Sequence, residues 1–204
     1  MAEKVARGEP RDRGPFERRD LIILGVITLL AAALRLFRLD TWALWIDESH
    51  TYRDVVISAD RFWSTNLSYY PLSFLLLREA IDAGLLPPTE SGLRLPFAFF
   101  GILSVPALGL VGRWILGPRE GLIAAGLLAI SPWHIFWSQN ARSYSMVLFF
   151  ALLAGGAAYW ALHKRSFRLM ALAVVLSALA GLCHPSAYVL LGTLVVIGLG
   201  SLGR

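Results

Sequence analysis

LRLPFAFFGILSVPALGLVGRWIL, residues 93–116, is an apolar run near the length a helix needs to cross a bilayer core. Its reading decides the fold, because similar runs surround it. Leu21 to Phe37 precedes it; Gly121 to Trp137, Ser143 to Leu162, Phe167 to Cys183 and Ser186 to Leu202 follow. Several are at the short end for a span. Composition agrees: of 204 residues, 56% are hydrophobic and 16% charged, and the mean hydropathy is +0.60. A soluble domain is closer to half apolar and carries more charge. The sequence therefore predicts an all-α fold, a polytopic transmembrane helical bundle of about six spans.

The sequence pI of 9.8 would suit a nucleic-acid binder. The basic residues, however, fall in short tracts between apolar runs, where they set membrane orientation, so no nucleic-acid partner is expected. The single cysteine, Cys183, lies inside an apolar run and excludes a disulfide framework within the chain. Residues 1–20 are polar and rich in Arg, Gly and Pro, and read as a disordered cytoplasmic tail. The run that follows is longer than a signal-peptide core and lacks a small-x-small cleavage site, so it reads as a retained anchor. Residues 21–204 then form one transmembrane module.

The segment Pro71 to Leu86 is apolar only in part. Leu72, Leu75, Leu76 and Ala80 fall at helical spacing, while Arg78, Glu79 and Asp82 lie elsewhere, so an amphipathic helix at the membrane interface is expected. Thr51 to Leu67 reads the same way, with Val55, Val56, Phe62 and Trp63 among Arg53, Asp54, Asp60 and Arg61. The positive-inside rule supports this assignment. With the six Lys/Arg residues of the tail inside, the later inner turns carry Arg113 and Arg119, then Lys164, Arg165 and Arg168. Were Pro71 to Leu86 a span, those basic turns would face out. The expected topology is an integral plasma-membrane protein with a cytoplasmic N-terminus and an external loop, residues 39–92.

This topology sorts the chemically capable residues onto one face. The external loop holds Asp47 and Glu48 in Leu44-Trp45-Ile46-Asp47-Glu48-Ser49-His50. The turn Ser138-Gln139-Asn140-Ala141-Arg142-Ser143-Tyr144 faces out, as does His184-Pro185. Adjacent carboxylates just beyond a span are costly outside a polar site and point to function.

These motifs resemble a known family. Arg38-Leu39-Asp40 followed by Leu44-Trp45-Ile46-Asp47-Glu48 resembles the first external loop of C-type (GT-C) membrane glycosyltransferases. Tyr70-Pro71-Leu72 is similar to the Pro-Pro-Leu element of the branch containing protein O-mannosyltransferases and lipid-A aminoarabinose transferases. Arg94-Leu95-Pro96, with Gly101 and Pro106 beyond it, and Ser131-Pro132-Trp133-His134 through Tyr144 resemble the same branch. The resemblance covers Leu21 to Leu202. It implies an enzyme that moves a sugar from a polyprenyl-phosphate donor to an external acceptor, with Asp47 as the base or orienting carboxylate. Family members are longer, so the resemblance implies an N-terminal module, completed by a further chain or a C-terminal region. Expected partners are the lipid-linked sugar, membrane lipid and an acceptor of unknown class.

Transfer from a lipid phosphate needs a carboxylate near the acceptor and cations near the departing phosphate. Asp47 is the candidate base; its bland alternative is an N-cap for a helix starting at Glu48. Glu48 positions Asp47, binds a divalent metal or favours a helix N-terminus; the residues demand no cofactor, and a metal site needs more ligands than Glu48 alone. Arg142, with Gln139 and Tyr144 beside it at a helix start, is the leading phosphate ligand. Arg94 is a second cation, and His184 completes the substrate-binding set. Each has a bland alternative, the arginines as snorkelling cations and the histidine as a helix-end residue. The seven Trp residues fit an interfacial belt. Two rival functions are a lipid or solute transporter, which would show mid-span charges and repeats, and a non-catalytic lipid-binding scaffold.

Overall fold

The structure, a computed structural model, describes residues 14–57 and 71–202. Every regular element among them is helical. In chain order these are α1 (Arg18–Leu36), α2 (Ile46–Tyr52), a π-helical turn (Arg53–Ile57), α3 (Pro71–Asp82), α4 (Glu90–Ile115), α5 (Pro118–Ile130), α6 (Pro132–Ser138), α7 (Tyr144–Lys164), α8 (Phe167–Cys183), a 3₁₀ turn (Pro185–Ala187) and α9 (Tyr188–Leu202). α4 and α7 are each long and apolar enough to cross a membrane, and α5 with α6 makes a third such unit, bent by 62°. The tail residues 1–13, most of the expected helix Thr51 to Leu67, and Tyr70 lie outside the described residues.

Local chemistry sets the helix limits. At the start of α1 the Glu17 N–H donates to Asp20 Oδ2 at 3.0 Å, a reciprocal cap. Phe16, just before it, is buried with Leu24, Val105 and Ala125, so the last residues of the expected tail pack on the bundle. Phe37 leaves α1 in an extended conformation and Arg38 follows at φ 55°, while Arg165 at φ 47° takes the left-handed conformation that ends α7. Each positive φ costs about 1 kcal/mol in a residue with a Cβ. Ser166 restarts the chain by accepting the Leu169 N–H at 3.4 Å, giving a tight α7–α8 hairpin. Gly117 at φ 134° followed by Pro118 makes the corresponding turn between α4 and α5.

α4 is the centre: α1, α5, α6 and α7 all pack against it, α8 packs on α7, and α9 on α8. Small residues allow this closeness. A Cβ on Gly112 would lie 3.0 Å from Gly121 Cα, and one on Gly156 would lie 2.9 Å from Val111 Cγ2. Ala154, Ala157, Ala158 and Ala173 fill the α7–α8 seam.

Two expectations change. The run Gly121 to Trp137 is not one straight helix. Pro132 has no N–H to continue α5, and Ser131 caps α6 by accepting the His134 N–H at 3.4 Å. α3 is amphipathic as expected; its most buried residues are Ser73, Phe74 and Leu77, while Leu72 and Leu75 of the expected stripe are half-buried against the same cluster. Leu76 is exposed. Phe74 and Leu77 enter a cluster with Val55, Leu93, Phe97, Ala141, Met146 and Cys183, so α3 is anchored to the bundle. Burial of each such side chain from water is worth about 1.5–3 kcal/mol. Arg78 fixes the other side, donating to Val55 O and to Asp82 Oδ2, both at 2.6 Å.

Candidate functional site

α2 begins at Ile46 with Trp45 at its N-cap, so Asp47 is the second helical residue and is not spent on capping. Its half-buried carboxylate accepts no hydrogen bond from any described residue. Glu48, its neighbour, is fully buried and fully engaged. Glu48 Oε1 accepts from Arg94 Nε and from the Ala141 N–H, each at 2.8 Å. Its Oε2 accepts from Arg94 Nη2 at 2.7 Å and from the Trp45 N–H at 3.4 Å. This is a forked, two-bond ion pair.

Arg94 spends its remaining donors on the backbone before α2. Nη1 donates to Leu39 O (2.9 Å) and Trp42 O (2.8 Å), and Nη2 to Ala43 O (3.3 Å). A guanidinium has five N–H groups, and all five are taken. Arg94 therefore shapes the loop 39–48 and has no donor left for a phosphate. One turn along α2, the Thr51 hydroxyl donates to Ala141 O at 3.1 Å. Glu48 and Thr51 together hold both backbone groups of Ala141, its N–H and its carbonyl. Asp47 and Arg142 flank that grip, one on each strand of chain.

Gln139 points elsewhere. Its Nε2 donates to Phe37 O (3.0 Å), Leu34 O (3.1 Å) and Arg35 O (3.4 Å), closing the open carbonyls of α1. Arg142 is half-buried beside His184. His184 caps the turn after α8: its Nδ1 accepts the Ser186 N–H at 3.2 Å. Partial burial, with the Arg142 charge adding to it, holds the His184 pKa below its ordinary value. The imidazole lies 5.0 Å, ring to ring, from Tyr144, which lies 4.3 Å from Trp137. Trp137 in turn meets Trp45 at 6.3 Å. A line of rings thus runs from the start of α2 to the α8–α9 turn.

The structure therefore gathers Asp47, Glu48, Arg94, Arg142, Tyr144 and His184 at one end of the bundle. Arg113, Arg119, Lys164, Arg165 and Arg168 lie at the other, where Lys164 Nζ sits 4.7 Å from the Trp160 ring. Sequence reasoning passed over Thr51, the Ala141 peptide and the Trp45–Trp137 contact. Only the proximity of Ala141 to Arg142 could have signalled the second. The residues do not fit a divalent metal: among the described residues no three His, Cys, Asp or Glu side chains converge, and the oxygens of Glu48 are consumed. Among the described residues the arrangement presents the Asp47 carboxylate, the half-buried and partnered Arg142 and an aromatic wall.

Compared with known proteins, the chain matches no family model, no curated protein and no solved structure.

Proposed function

We propose that this chain is a membrane glycosyltransferase module of the C type, moving a sugar from a polyprenyl phosphate to an acceptor outside the membrane. One observation carries the reading. Of two adjacent carboxylates, Glu48 is locked by Arg94 and Ala141 while Asp47 accepts no hydrogen bond from any described residue, and Arg142 follows the Ala141 that Glu48 holds. A locked carboxylate next to an open one is what a positioned general base requires. Asp47 takes the proton of the acceptor hydroxyl or amine as its oxygen or nitrogen attacks the anomeric carbon. The bond from that carbon to the phosphate oxygen breaks, and the phosphate leaves with the electron pair. Arg142 faces the growing charge. The topology that goes with this reading has six spans, the N-terminus inside, and α2, the 139–143 turn and the 184–187 turn at the external surface of the plasma membrane. α4, α7 and the α5–α6 unit support it by length and composition.

The test is transfer from a labelled polyprenyl-phosphate sugar by the reconstituted chain. Asp47→Asn should lower turnover about 10²–10⁴-fold, the usual worth of a general base, with donor binding little changed. Undiminished transfer in Asp47→Asn would remove the assignment.

The bent α5–α6 unit favours a second reading, a transporter, since broken helices line transport sites. Against it, the carbonyls at the break are filled by an arginine. Uptake of the labelled donor into proteoliposomes without its consumption would support the transporter.

A further inference from the structure

Arg35 is the largest fully buried side chain in the described chain, and it lies one residue before the end of α1. Its Nη1 donates to Ala31 O (3.1 Å) and Ala129 O (3.0 Å), and its Nη2 to Leu128 O (3.0 Å). The Nη2 group also lies 2.7 Å from His134 Nδ1. The acceptors on α5 have a local cause. Pro132 cannot donate to Leu128 O, four residues back, and the bend turns Ala129 O away from a helical partner. An arginine from α1 thus caps the broken end of α5. In return Gln139, just after α6, caps the end of α1. Gly101 of α4 makes room, since a Cβ there would run into Ser138 at the end of α6 and reach within 3.5 Å of Arg35 Cδ.

Arginine only donates, so His134 must offer a bare Nδ1 and carry its proton on Nε2. That Nε2 and Arg35 Nε are both buried without a partner. Two unsatisfied buried donors oppose folding. Hydrophobic residues would close this seam more cheaply, so the pair calls for a role beyond packing.

We infer that Arg35 and His134 are positioning residues for the polar site. They fix the angle between α5 and α6, and that angle sets where Trp137 meets Trp45 and where Ala141 meets Glu48 and Thr51. What they position rests on the transferase reading; the coupling itself does not. Arg35→Lys keeps the charge, but one ammonium with three donors cannot reproduce the planar fork that meets three carbonyls and an imidazole. His134→Asn returns an oxygen acceptor near the place of Nδ1, whereas His134→Leu does not.

Cys183 provides a readout independent of function, because it is buried in the cluster that contains Ala141. In the full chain in detergent, Arg35→Gln, Arg35→Lys and His134→Leu should each raise Cys183 alkylation by N-ethylmaleimide about ten-fold at unchanged helicity. His134→Asn should fall back to near the wild-type rate. In the transfer assay, the same three variants should raise donor KM by more than they lower kcat. Cys183 rates equal to wild type in a folded Arg35→Gln protein would overturn the inference. Where that variant fails to insert, equal rates for His134→Asn and His134→Leu would overturn it instead. Faster alkylation in a chain whose wild type transfers no sugar would uphold the coupling and count against the transferase reading alone.

Discussion

Asp47 and Glu48 are chemically alike and adjacent, and the fold gives them opposite work. Glu48 is buried against Arg94 and ties three pieces of chain together: the loop before α2, the first turns of α4 and the peptide at Ala141. Glu48→Gln removes the charge and leaves a buried guanidinium unpaired. Loss of one partner of such a pair costs about 3–5 kcal/mol, so thermal unfolding in detergent should show a large drop in Tm for Glu48→Gln and a small one for Asp47→Asn. His184 adds a pH dependence. Its pKa is held down in the folded chain by burial and by Arg142, against about 6.5 when unfolded. As pH falls through that unfolded value the unfolded chain gains a proton that the folded chain refuses. Stability is therefore fully present above pH ~6.5 and declines below it. A plot of Tm against pH should bend downward there, and His184→Gln should flatten the bend. The pairing of Glu48 with Arg94 was not legible in the sequence, because 46 residues separate them and either side chain has a solvated alternative. The openness of Asp47 was partly legible, since a carboxylate pair just past an apolar run has few structural uses.

At the scale of elements, hydropathy located the helices because each run must satisfy its backbone internally if it enters lipid. The break at Pro132 was present in the sequence as Ser131-Pro132, but a proline near a run's end bends or starts a helix with equal ease. The inward course of Arg35 was hidden for another reason: an arginine in the last turn can snorkel outward or turn in, and the partner that decides lies on α5 and α6. The α3 face was legible only in part, because alternation of Leu and charge gave two candidate stripes: Leu72 and Leu75 pack on the cluster, but Phe74 and Leu77 are the α3 residues fully buried in it. Close packing, by contrast, makes a sharp forecast. A Cβ on Gly121 would meet the Arg113 N at 2.7 Å and would also crowd Gly109 O, all backbone that cannot step aside. Around Gly155 of α7 nothing lies within 4 Å. Gly121→Ala should destabilise by about 1–3 kcal/mol. Gly155→Ala should be neutral or stabilising by up to about 1 kcal/mol through helix propensity. Unfolding of both variants in the same detergent checks the contrast; similar losses for the two would show that α4 and α5 have room to part.

For the whole molecule, the polar and basic ends of the bundle must lie on opposite sides of a membrane if the transferase reading holds. The end with Asp47 also bears Asp40, which is exposed, and the aromatic line from Trp45 to Tyr144. The other end bears exposed Arg119, Glu120, Lys164 and Arg165, with Trp114 and Trp160 in contact beneath them. Basic residues are retained on the cytoplasmic side during insertion, so the proposed topology has the second end inside and, under the transferase reading, the donor's phosphate at the first. Labelling should read this directly. In a Cys183→Ala background, Asp40→Cys should react with a membrane-impermeant maleimide in intact cells. Glu120→Cys should react only after the membrane is opened. Ser138 would be a poor probe, since its side chain is buried against Gly101. The reverse labelling pattern would put Asp47 in the cytoplasm, where soluble nucleotide-linked donors are at hand, and a lipid-phosphate donor would lose its main physical argument. Labelling of both positions from outside would mean that an odd number of crossings between residues 40 and 120 is wrong, and α3 would become the first helix to reconsider as a span.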